Sequence, residues 1–301
     1  MAEPVKLWSD ASIFQLVGGL IEHARHRVYV EMYELGRPDI VRGLSADRAS
    51  GADVRVVTDP TVNASRSSLA TLLRDGVPSR FYPVDDVAHQ IDHVKLLIVD
   101  TEAVVGGMNW GVHSDRNHDY VLETRDAAEV GRLVQIFEQD WSLSQGAPRP
   151  LKADPASQVV QTAPGEEIRN LLMGALTSAQ YRAWSEVYTL TDPDVLLQLA
   201  AAHRRGVDVR VLLDPNQAYN RQAFMQLQSA GVAVRWYPVP RGALLHAKIG
   251  LFDSELVLGS ANWSYSGLDV NHELDIETQD PQAVAAYGSR FSSDWARSPV
   301  P

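Results

Sequence analysis

The sequence contains one unit twice, and this duplication limits the fold more than any other feature. The stretch HVKLLIVDTEAVVGGMN at 93–109 returns as HAKIGLFDSELVLGSAN at 246–262. Flanking segments repeat in the same order, since GADVRVVTDP at 51–60 matches GVDVRVLLDP at 206–215. A chain of 301 residues built in this way is expected to form two similar lobes related by an approximate two-fold axis.

Hydrophobic spacing inside each unit alternates between helix and strand periods. Apolar residues at helical spacing run from Ile13 to Ala24 and again from Ile168 to Leu176. The segments RVYVEMY, DVRVVTD and DVRVLLD alternate in the way that half-buried strands do. This order of helices and strands predicts an α/β fold of two α/β/α lobes, each a mixed β-sheet flanked by helices.

The stretch SQGAPRPLKADPASQ, rich in Pro and Ser, separates the two units and is typical of a linker. We therefore expect an N-terminal lobe at 1–143, a linker at 144–163 and a C-terminal lobe at 164–301. The chain is expected to be a monomer that contains an internal pseudo-dimer.

Lysine is scarce in this chain, yet it occurs in both copies of the repeated motif. Only four of the 27 basic residues are lysine, and two of these are Lys95 and Lys248. Residues i and i+2 of a strand share a face, so His93 should project beside Lys95, and His246 beside Lys248. A compact ammonium group is evidently required there, since a planar guanidinium would fill the space differently.

The other repeated positions of the motif are an Asn that is expected to reach the pocket and a set of residues with structural roles. Asn109 and Asn262 follow the second strand of each motif and are expected to reach the same pocket as the His and Lys. The remaining positions are assigned hydrogen-bonding or close-packing roles in the backbone: Asp100, Asp253, Gly106, Gly107, Gly259 and Ser260.

An imidazole, an ammonium and a carboxamide from each half would form a site for a tetrahedral anion. Lys and Asn would donate to the non-bridging oxygens of a phosphoryl group, where charge develops during attack. One His would attack the phosphorus while the other protonates the departing oxygen. The predicted catalytic residues are His93, Lys95, Asn109, His246, Lys248 and Asn262. This scheme requires no metal and no cofactor, because the two lysines supply the positive charge.

Each motif is followed by a carboxylate in the sequence NHD or NHE, at Asp119 and Glu273. A carboxylate that accepts a hydrogen bond from one imidazole nitrogen fixes the tautomer and leaves the other nitrogen free. We therefore expect these two residues to orient the histidines. The halves differ at Gly107 and Ser260, so a hydroxyl contact of one half is missing from the other.

The two His-x-Lys motifs, each with Asp and Gly-(Gly/Ser)-x-Asn, resemble the HKD signature of the phospholipase D superfamily. The resemblance covers nearly the whole chain through the duplication. It implies a bilobal α/β/α fold with one active site at the lobe interface and a covalent phosphohistidine intermediate, released by water or an alcohol. It further implies that His93 is the nucleophile and His246 the general acid, although the two motifs are too alike to derive this order.

The superfamily includes phospholipases, phosphatidyl-transferring synthases, nucleases and non-catalytic members. Ala243, Leu244 and Leu245 directly precede the second motif and predict an apolar lip for acyl chains, and Arg116 is a further candidate for substrate contact. We therefore predict a phosphodiesterase that cleaves or transfers the phosphatidyl group of a phospholipid, with transient contact to a membrane surface.

The acidic balance of the chain is unfavourable for a nucleic-acid substrate. The formal net charge is −11, and Asp85, Asp86 and Asp92 lie close before His93, where they would repel a polyanion. An endonuclease for single-stranded or double-stranded nucleic acid stays open, because the Asn-Trp and Asn-His-Glu elements are similar to those of small nucleases. A non-catalytic phosphate-binding module is the second alternative, and the two complete motifs argue against it.

The chain has no cysteine, which excludes disulfides, thiolate metal sites and a Cys nucleophile. No stretch approaches the roughly 18 apolar residues of a membrane span, and the N-terminus lacks a secretory pattern. We expect a soluble chain, and the absence of a leader does not identify its compartment, since a leader could have been removed.

Overall fold

Each half of the chain forms one seven-stranded mixed sheet covered by helices. The computed structural model describes residues 5–162 and 166–300. Within these ranges the α-helices are α1 Ser12–Glu22, α2 Pro38–Ala49, α3 Asn63–Arg74, α4 Ala127–Leu143, α5 Glu167–Ser178, α6 Pro193–Arg204, α7 Asn220–Ser229 and α8 Pro281–Arg297. The strands are β1 Lys6–Ser9, β2 Arg27–Met32, β3 Asp53–Thr58, β4 Ser79–Phe81, β5 Lys95–Val99, β6 Glu102–Gly106, β7 Tyr120–Thr124, β8 Val159–Gln161, β9 Arg182–Val187, β10 Asp208–Leu213, β11 Ala233–Trp236, β12 Lys248–Phe252, β13 Glu255–Gly259 and β14 Leu274–Thr278.

The two sheets have equivalent topologies, which confirms the duplicated α/β fold predicted from the sequence. The first has the order β1-β7-β6-β5-β2-β3-β4 and the second β8-β14-β13-β12-β9-β10-β11. In each sheet the three strands that follow helices are parallel, and the motif hairpin adds to them in antiparallel orientation. The motif strand therefore lies at the centre of its sheet, where both faces are covered.

Local sequence signals explain where several helices begin. The carboxylates of Asp126, Asp192 and Asp280 accept hydrogen bonds from backbone amides in the first turns of α4, α6 and α8. These caps satisfy amide groups that have no partner inside the helix. Proline follows the cap in α6 and α8, where its missing N–H costs nothing.

The lobes share a continuous hydrophobic core. One buried cluster joins Ile98 and Phe137 of the first half to Ile249 and Phe291 of the second, while each half also has a core of its own. Burial of apolar surface on this scale holds the two sheets in a fixed relation. Segments at the ends of the central strands can therefore contribute to a site between the lobes.

The structure modifies two details of the sequence analysis. His93 lies two residues before β5, so the motif histidine belongs to the segment that enters the strand. Residues 159–161, predicted to be part of the linker, form β8 and pair with β14, because their apolar residues extend the second sheet. The lobe limits stay a prediction, and residues 1–4, 163–165 and 301 lie outside the described residues. Among the described residues, no helix is both long enough and apolar enough to cross a membrane.

Candidate active site

The segments that carry the two motif histidines cross between the lobes. Asp92 pairs with His272 and Leu245 pairs with His118, each through an isolated parallel bridge. The backbone N–H of His93 donates to the carbonyl of His272, and the N–H of His246 donates to the carbonyl of His118, both at 2.8 Å. Each motif histidine is therefore held beside the segment that carries the carboxylate of the other lobe.

The two carboxylates are exchanged between the lobes. His93 Nδ1 lies 2.9 Å from Glu273 Oε2, and His246 Nδ1 lies 2.8 Å from Asp119 Oδ2. All four side chains are buried. With Nδ1–H donating to the carboxylate, Nε2 of each imidazole carries the lone pair, and in His246 the Lys248 ammonium lies 3.2 Å from this atom. The structure places each carboxylate beside the histidine of the opposite half, and the orienting role stays a prediction.

The two motif lysines are buried beside the histidines. Lys95 Nζ donates to the carbonyl of His93, and Lys248 Nζ donates to the carbonyl of His246, both at 2.5 Å. Burial is the main cause that lowers the pKa of Lys95 to about 7 and that of Lys248 to about 8, and repulsion from Lys248 contributes to the shift of Lys95. An anion bound between these lysines would restore their preference for the charged form.

Burial and the two ammonium groups lower the pKa of both histidines when no anion is bound. Burial lowers the pKa of His93 well below its ordinary value, and the charges of Lys95 and Lys248 lower it further. Burial and Lys248 lower the pKa of His246 to about 3, although Asp119 acts in the opposite direction through its hydrogen bond and charge. The charges of both lysines act on both histidines, so the four groups share one electrostatic environment.

The halves differ where the sequence has Gly107 and Ser260. Ser260 Oγ donates to Glu273 Oε2 at 2.6 Å, and Asn271 donates to the other oxygen at 3.0 Å. A Cβ atom at Gly107 would overlap the carboxylate of Asp119, so glycine is required for this close approach. Burial raises the pKa of Glu273 to about 7, although the donated hydrogen bonds and Lys95 oppose the shift.

The aspartates of the two motifs form turns away from the histidines. The Asp100 carboxylate accepts hydrogen bonds from the backbone N–H groups of residues 25, 26 and 27, at 2.8–3.0 Å. Asp253 makes the equivalent bonds with residues 180, 181 and 182. Both aspartates have positive φ, at 50° and 54°, a conformation that Asp tolerates better than most residues. These contacts connect the motif hairpin to the strand beside it.

The amides predicted to bind phosphate are available for further contacts. The side-chain oxygens of Asn109 and Asn262 are buried and have no hydrogen-bond partner among the described residues. Each Asn follows the close-packed glycine that ends β6 or β13, at Gly106 and Gly259, where a Cβ would overlap the neighbouring strand. Their assignment as phosphate donors stays a prediction.

The prediction of an apolar lip is wrong for Leu245. Leu245 is 0% exposed and packs in the core shared by the lobes, because its backbone pairs with the opposite lobe. Leu244 instead lines a cavity of about 740 Å³ between the lobes, together with Ala243, Val112 and Glu34. This cavity lies directly beside the second motif.

Four further residues that were predicted to affect substrate binding differ in their exposure. Arg116 is exposed on a short 3-10 turn, and no hydrogen bond of its side chain to another described residue fixes its position. Asp85 and Asp86 are exposed as expected, but Asp92 is fully buried and takes no part in repelling a ligand at the surface.

The sequence analysis missed two tyrosines that contact the motif side chains. The ring of Tyr33 lies 4.8 Å from that of His93, and the ring of Tyr188 lies 4.7 Å from that of His246. Lys95 and Lys248 lie over the same rings, at 5.2 and 5.0 Å. The repeated YEL and YTL segments carried this signal. Both phenols are partly exposed, and burial raises the pKa of each.

Comparisons with known proteins agree with this architecture. The family model "Cardiolipin synthase, PLD-like domain" matches residues 18–141 and 172–295. Cardiolipin synthase 2 of Bacillus cereus is 28% identical over 96% of this chain and 63% of its own length. A cardiolipin synthase of Halalkalibacterium halodurans is 27% identical over 90% of this chain and 61% of its own.

A solved structure shows the same fold. The crystal structure of phosphatidylserine synthase from Haemophilus influenzae covers 100% of this chain and 89% of its own, with a TM-score of 0.77 and 14% identity. The chain thus spans less than two thirds of the two cardiolipin synthases but most of this structure. Since the family model matches both halves and most of the chain, the protein belongs to the cardiolipin synthase, PLD-like domain family of the phospholipase D superfamily.

Proposed function

We propose that this chain is a phosphodiesterase that cleaves or transfers the phosphatidyl group of a phospholipid, at one site between the lobes. The observation that carries the proposal is the exchange of carboxylates: Glu273 orients His93, and Asp119 orients His246. Each half-site is completed by the opposite lobe. The charges of Lys95 and Lys248 act on both histidines, which supports one shared volume for the two imidazoles and two ammonium groups, as an in-line displacement at phosphorus requires.

In the first step, Nε2 of His93 attacks the phosphorus and forms an N–P bond. The P–O bond to the leaving alcohol breaks, and that oxygen takes a proton from Nε2 of His246, which enters this step as an imidazolium because the bound phosphodiester anion favours its charged form. Lys95 and Lys248 stabilise the charge on the non-bridging oxygens. The products of this step are a phosphatidyl-histidine and the free alcohol.

In the second step, water or an alcohol replaces the leaving group. His246, now neutral, accepts the proton of the incoming water or alcohol. The oxygen of that molecule attacks the phosphorus, and the N–P bond to His93 breaks. Water gives hydrolysis, and a lipid hydroxyl gives a new phosphodiester. Both imidazoles return to their starting protonation states, so neither step consumes a cofactor.

The surroundings of the two histidines support this order of roles. Burial and Lys248 lower the pKa of His246 to about 3, but the hydrogen bond and charge of Asp119 oppose this shift and favour His246 as the general acid. Burial raises the pKa of Glu273 itself to about 7, so Glu273 offers less negative charge to His93 at neutral pH. A neutral His93 is the better nucleophile.

Three observations support a phospholipid substrate. The relatives named above are called cardiolipin and phosphatidylserine synthases. The cavity beside the second motif has apolar side chains, including Val112 and Leu244. The net charge of −11 and the exposed Asp85 and Asp86 disfavour a polyanion.

The test is to trap the covalent intermediate with a substrate labelled in the phosphatidyl phosphate. The chain is incubated with phosphatidylglycerol vesicles and, in parallel, with labelled oligonucleotides, and then quenched in alkali, which preserves phosphohistidine. We expect label from the lipid on His93 and no label on the His93→Ala variant. The His246→Ala variant lacks the general acid, so we expect it to accumulate labelled protein when the substrate has a leaving group that needs no proton.

His26→Ala serves as the matched control, because this histidine is exposed and outside the motifs. Label on His246 in place of His93 would make His246 the nucleophile and His93 the general acid, with the same two-step reaction. Label from oligonucleotides alone would make the chain a nuclease, and no label from either substrate with unaltered folding would overturn the proposal.

A further inference from the structure

Two buried clusters of titratable side chains lie at the lobe interface, outside the paired histidines and lysines. In each cluster, ligand atoms of one His and two carboxylates lie within 4.8 Å of one another. The members are Glu31, Asp92 and His272 in the first, called the Glu31 cluster, and Glu186, Asp294 and His118 in the second, called the Glu186 cluster. Each joins residues of both lobes, and Glu31 and Glu186 occupy equivalent strand positions.

The Glu186 cluster is neutralised by other side chains of the protein. Arg290 Nε donates to Asp294 at 2.8 Å, and Arg297 donates to the other oxygen of Asp294. The hydroxyl of Tyr120 donates to Glu186 at 2.6 Å. Each carboxylate therefore has at least one donor with positive charge or an O–H group, although Oε1 of Glu186 has no hydrogen-bond partner among the described residues.

The Glu31 cluster differs at each of these supporting positions. Aligning the repeats places Ile136, Leu143 and Leu274 where the other half has Arg290, Arg297 and Tyr120. The same alignment places Asp92 where the other half has Leu245. The Glu31 cluster therefore lacks three donors that the other cluster has, while each histidine has a third carboxylate nearby, Asp140 beside His272 and Asp10 beside His118.

Several polar atoms of the Glu31 cluster are buried without a protein partner. Both oxygens of Glu31, Oδ2 of Asp92 and Nδ1 of His272 have no hydrogen-bond partner among the described residues. The imidazole of His272 is the nearest nitrogen group to these carboxylates, with Nε2 3.5 Å from Glu31 and 3.1 Å from Asp140. One imidazole thus faces three carboxylates, an excess of negative charge that low dielectric surroundings penalise.

We propose that Glu31, Asp92 and His272 bind a divalent transition-metal cation, Zn²⁺ or Mn²⁺, at the lobe interface. Two carboxylates and one imidazole form a mixed O and N donor set, which suits these ions better than Mg²⁺ or Ca²⁺. Asp140 lies 3.1 Å from Nε2 of His272, so Nδ1, which is buried without a partner among the described residues, is the imidazole nitrogen left free for a cation. The cation neutralises the excess charge that arginines neutralise in the Glu186 cluster.

The surroundings allow a cation to enter and give it a structural role. A cavity of about 160 Å³ is lined by Tyr82, Asp140 and His272 together with linker residues 148–150, so the cluster borders accessible space. Two ligands come from the first lobe and one from the second. The cation would therefore join the lobes on one side of the pseudo-two-fold axis, as the arginine network joins them on the other.

The test measures metal binding and thermal stability without reference to activity. The full chain is dialysed against EDTA and then titrated with ZnCl₂ and, separately, with MnCl₂. We expect about one equivalent to bind and to raise Tm by about 5 °C at a hundredfold excess over Kd. In Glu31→Gln and Asp92→Asn, which retain side-chain shape, we expect this rise to be lost.

Two comparisons identify the site. Asp92→Leu copies the residue of the other half, so we expect it to raise the Tm of the metal-free chain while abolishing the response to metal. Glu186→Gln is the matched control in the neutralised cluster and should retain the full response. No bound metal in the wild-type chain, or equal binding in all the Glu31-cluster variants, would overturn the proposal.

Discussion

His93 and Glu273 are separated by 180 residues in sequence, yet His93 Nδ1 lies 2.9 Å from the Glu273 carboxylate. The equivalent pair, His246 and Asp119, spans 127 residues in the opposite direction. Each lobe thus contributes a histidine to one pair and a carboxylate to the other. Neither lobe alone contains a histidine with its orienting carboxylate.

We first predict that Glu273→Gln lowers kcat strongly and changes KM little. The amide keeps the shape of the side chain, but it does not stabilise the imidazole tautomer with Nε2 free, and the loss should be about 10²-fold or more. Steady-state kinetics of phosphodiester turnover measure the effect. Glu102→Gln, a carboxylate paired with Arg125 at the surface, is the control and should retain wild-type kcat. Equal kcat for both variants would contradict an orienting role for Glu273.

The difference between Gly107 and Ser260 yields the second prediction. A side chain at position 107 would overlap the Asp119 carboxylate, so Gly107→Ser should displace Asp119 from His246 and lower kcat. Ser260→Gly removes a donor from Glu273 without a clash, so its effect should be smaller, about tenfold, in line with a lost hydrogen bond to a charged group.

The two variants of this pair are compared by turnover and by thermal unfolding. If Gly107→Ser proved as active as the wild-type chain at equal stability, the tight packing of Asp119 against residue 107 would have no bearing on His246. If Ser260→Gly were the more damaging change, the hydroxyl contact would matter more than the carboxylate position.

The third prediction concerns stability. Asp100→Ala leaves three backbone N–H groups without their acceptor and places alanine at positive φ, so it should lower the free energy of unfolding by about 2–3 kcal/mol. Asp253→Ala should have a similar effect through its equivalent contacts.

Urea unfolding followed by far-UV circular dichroism measures these losses. Asp100→Asn is the conservative comparison, because asparagine tolerates positive φ and keeps one acceptor oxygen. It should recover a substantial part of the stability lost with alanine. An unfolding free energy for Asp100→Ala within error of the wild-type value would remove the structural role assigned to the motif aspartates.

The repeat predicted the features that lie within one lobe. Because HVKLLIVD and HAKIGLFD recur with the same flanking segments, two equivalent sheets and two buried His-Lys motifs could be expected from the sequence. The repeated glycines of the motifs likewise marked places of close strand approach, as Gly106 shows.

The features that depend on how the lobes meet could not be predicted in this way. A periodic pattern does not specify which carboxylate approaches which imidazole, so the exchange of Asp119 and Glu273 required the structure. The same cause hid the burial of Leu245 and Asp92, whose neighbours belong to the opposite lobe. The contact of Tyr33 with His93 was not predicted, because Tyr33 and its repeat partner Tyr188 follow a strand and their sequence pattern does not show which side chains they meet.

The last prediction concerns the pH dependence of stability and uses His118 at the lobe interface. Burial opposes its protonation, but Glu186, Asp10 and Asp294 outweigh burial and raise the pKa of His118 well above its ordinary value. Arg290 is the cation that faces the same group, 3.2 Å from Nδ1. The charged imidazole is therefore favoured in the folded chain relative to the unfolded chain.

Because the pKa of His118 is higher in the folded chain than in the unfolded chain, its protonation stabilises the fold. This stabilisation is complete below the pKa of the unfolded chain, about 6.5, and is lost as the pH rises through the pKa of the folded chain. The difference in unfolding free energy between the wild-type chain and His118→Gln should therefore be largest near pH 6 and shrink on the alkaline side. Urea unfolding at pH 6, 8 and 9.5 measures it, with exposed His26→Gln as the control. A difference that stays constant over this range would show that His118 is not held in its charged form, and that neutral packing against Tyr237, at 4.9 Å, accounts for its effect.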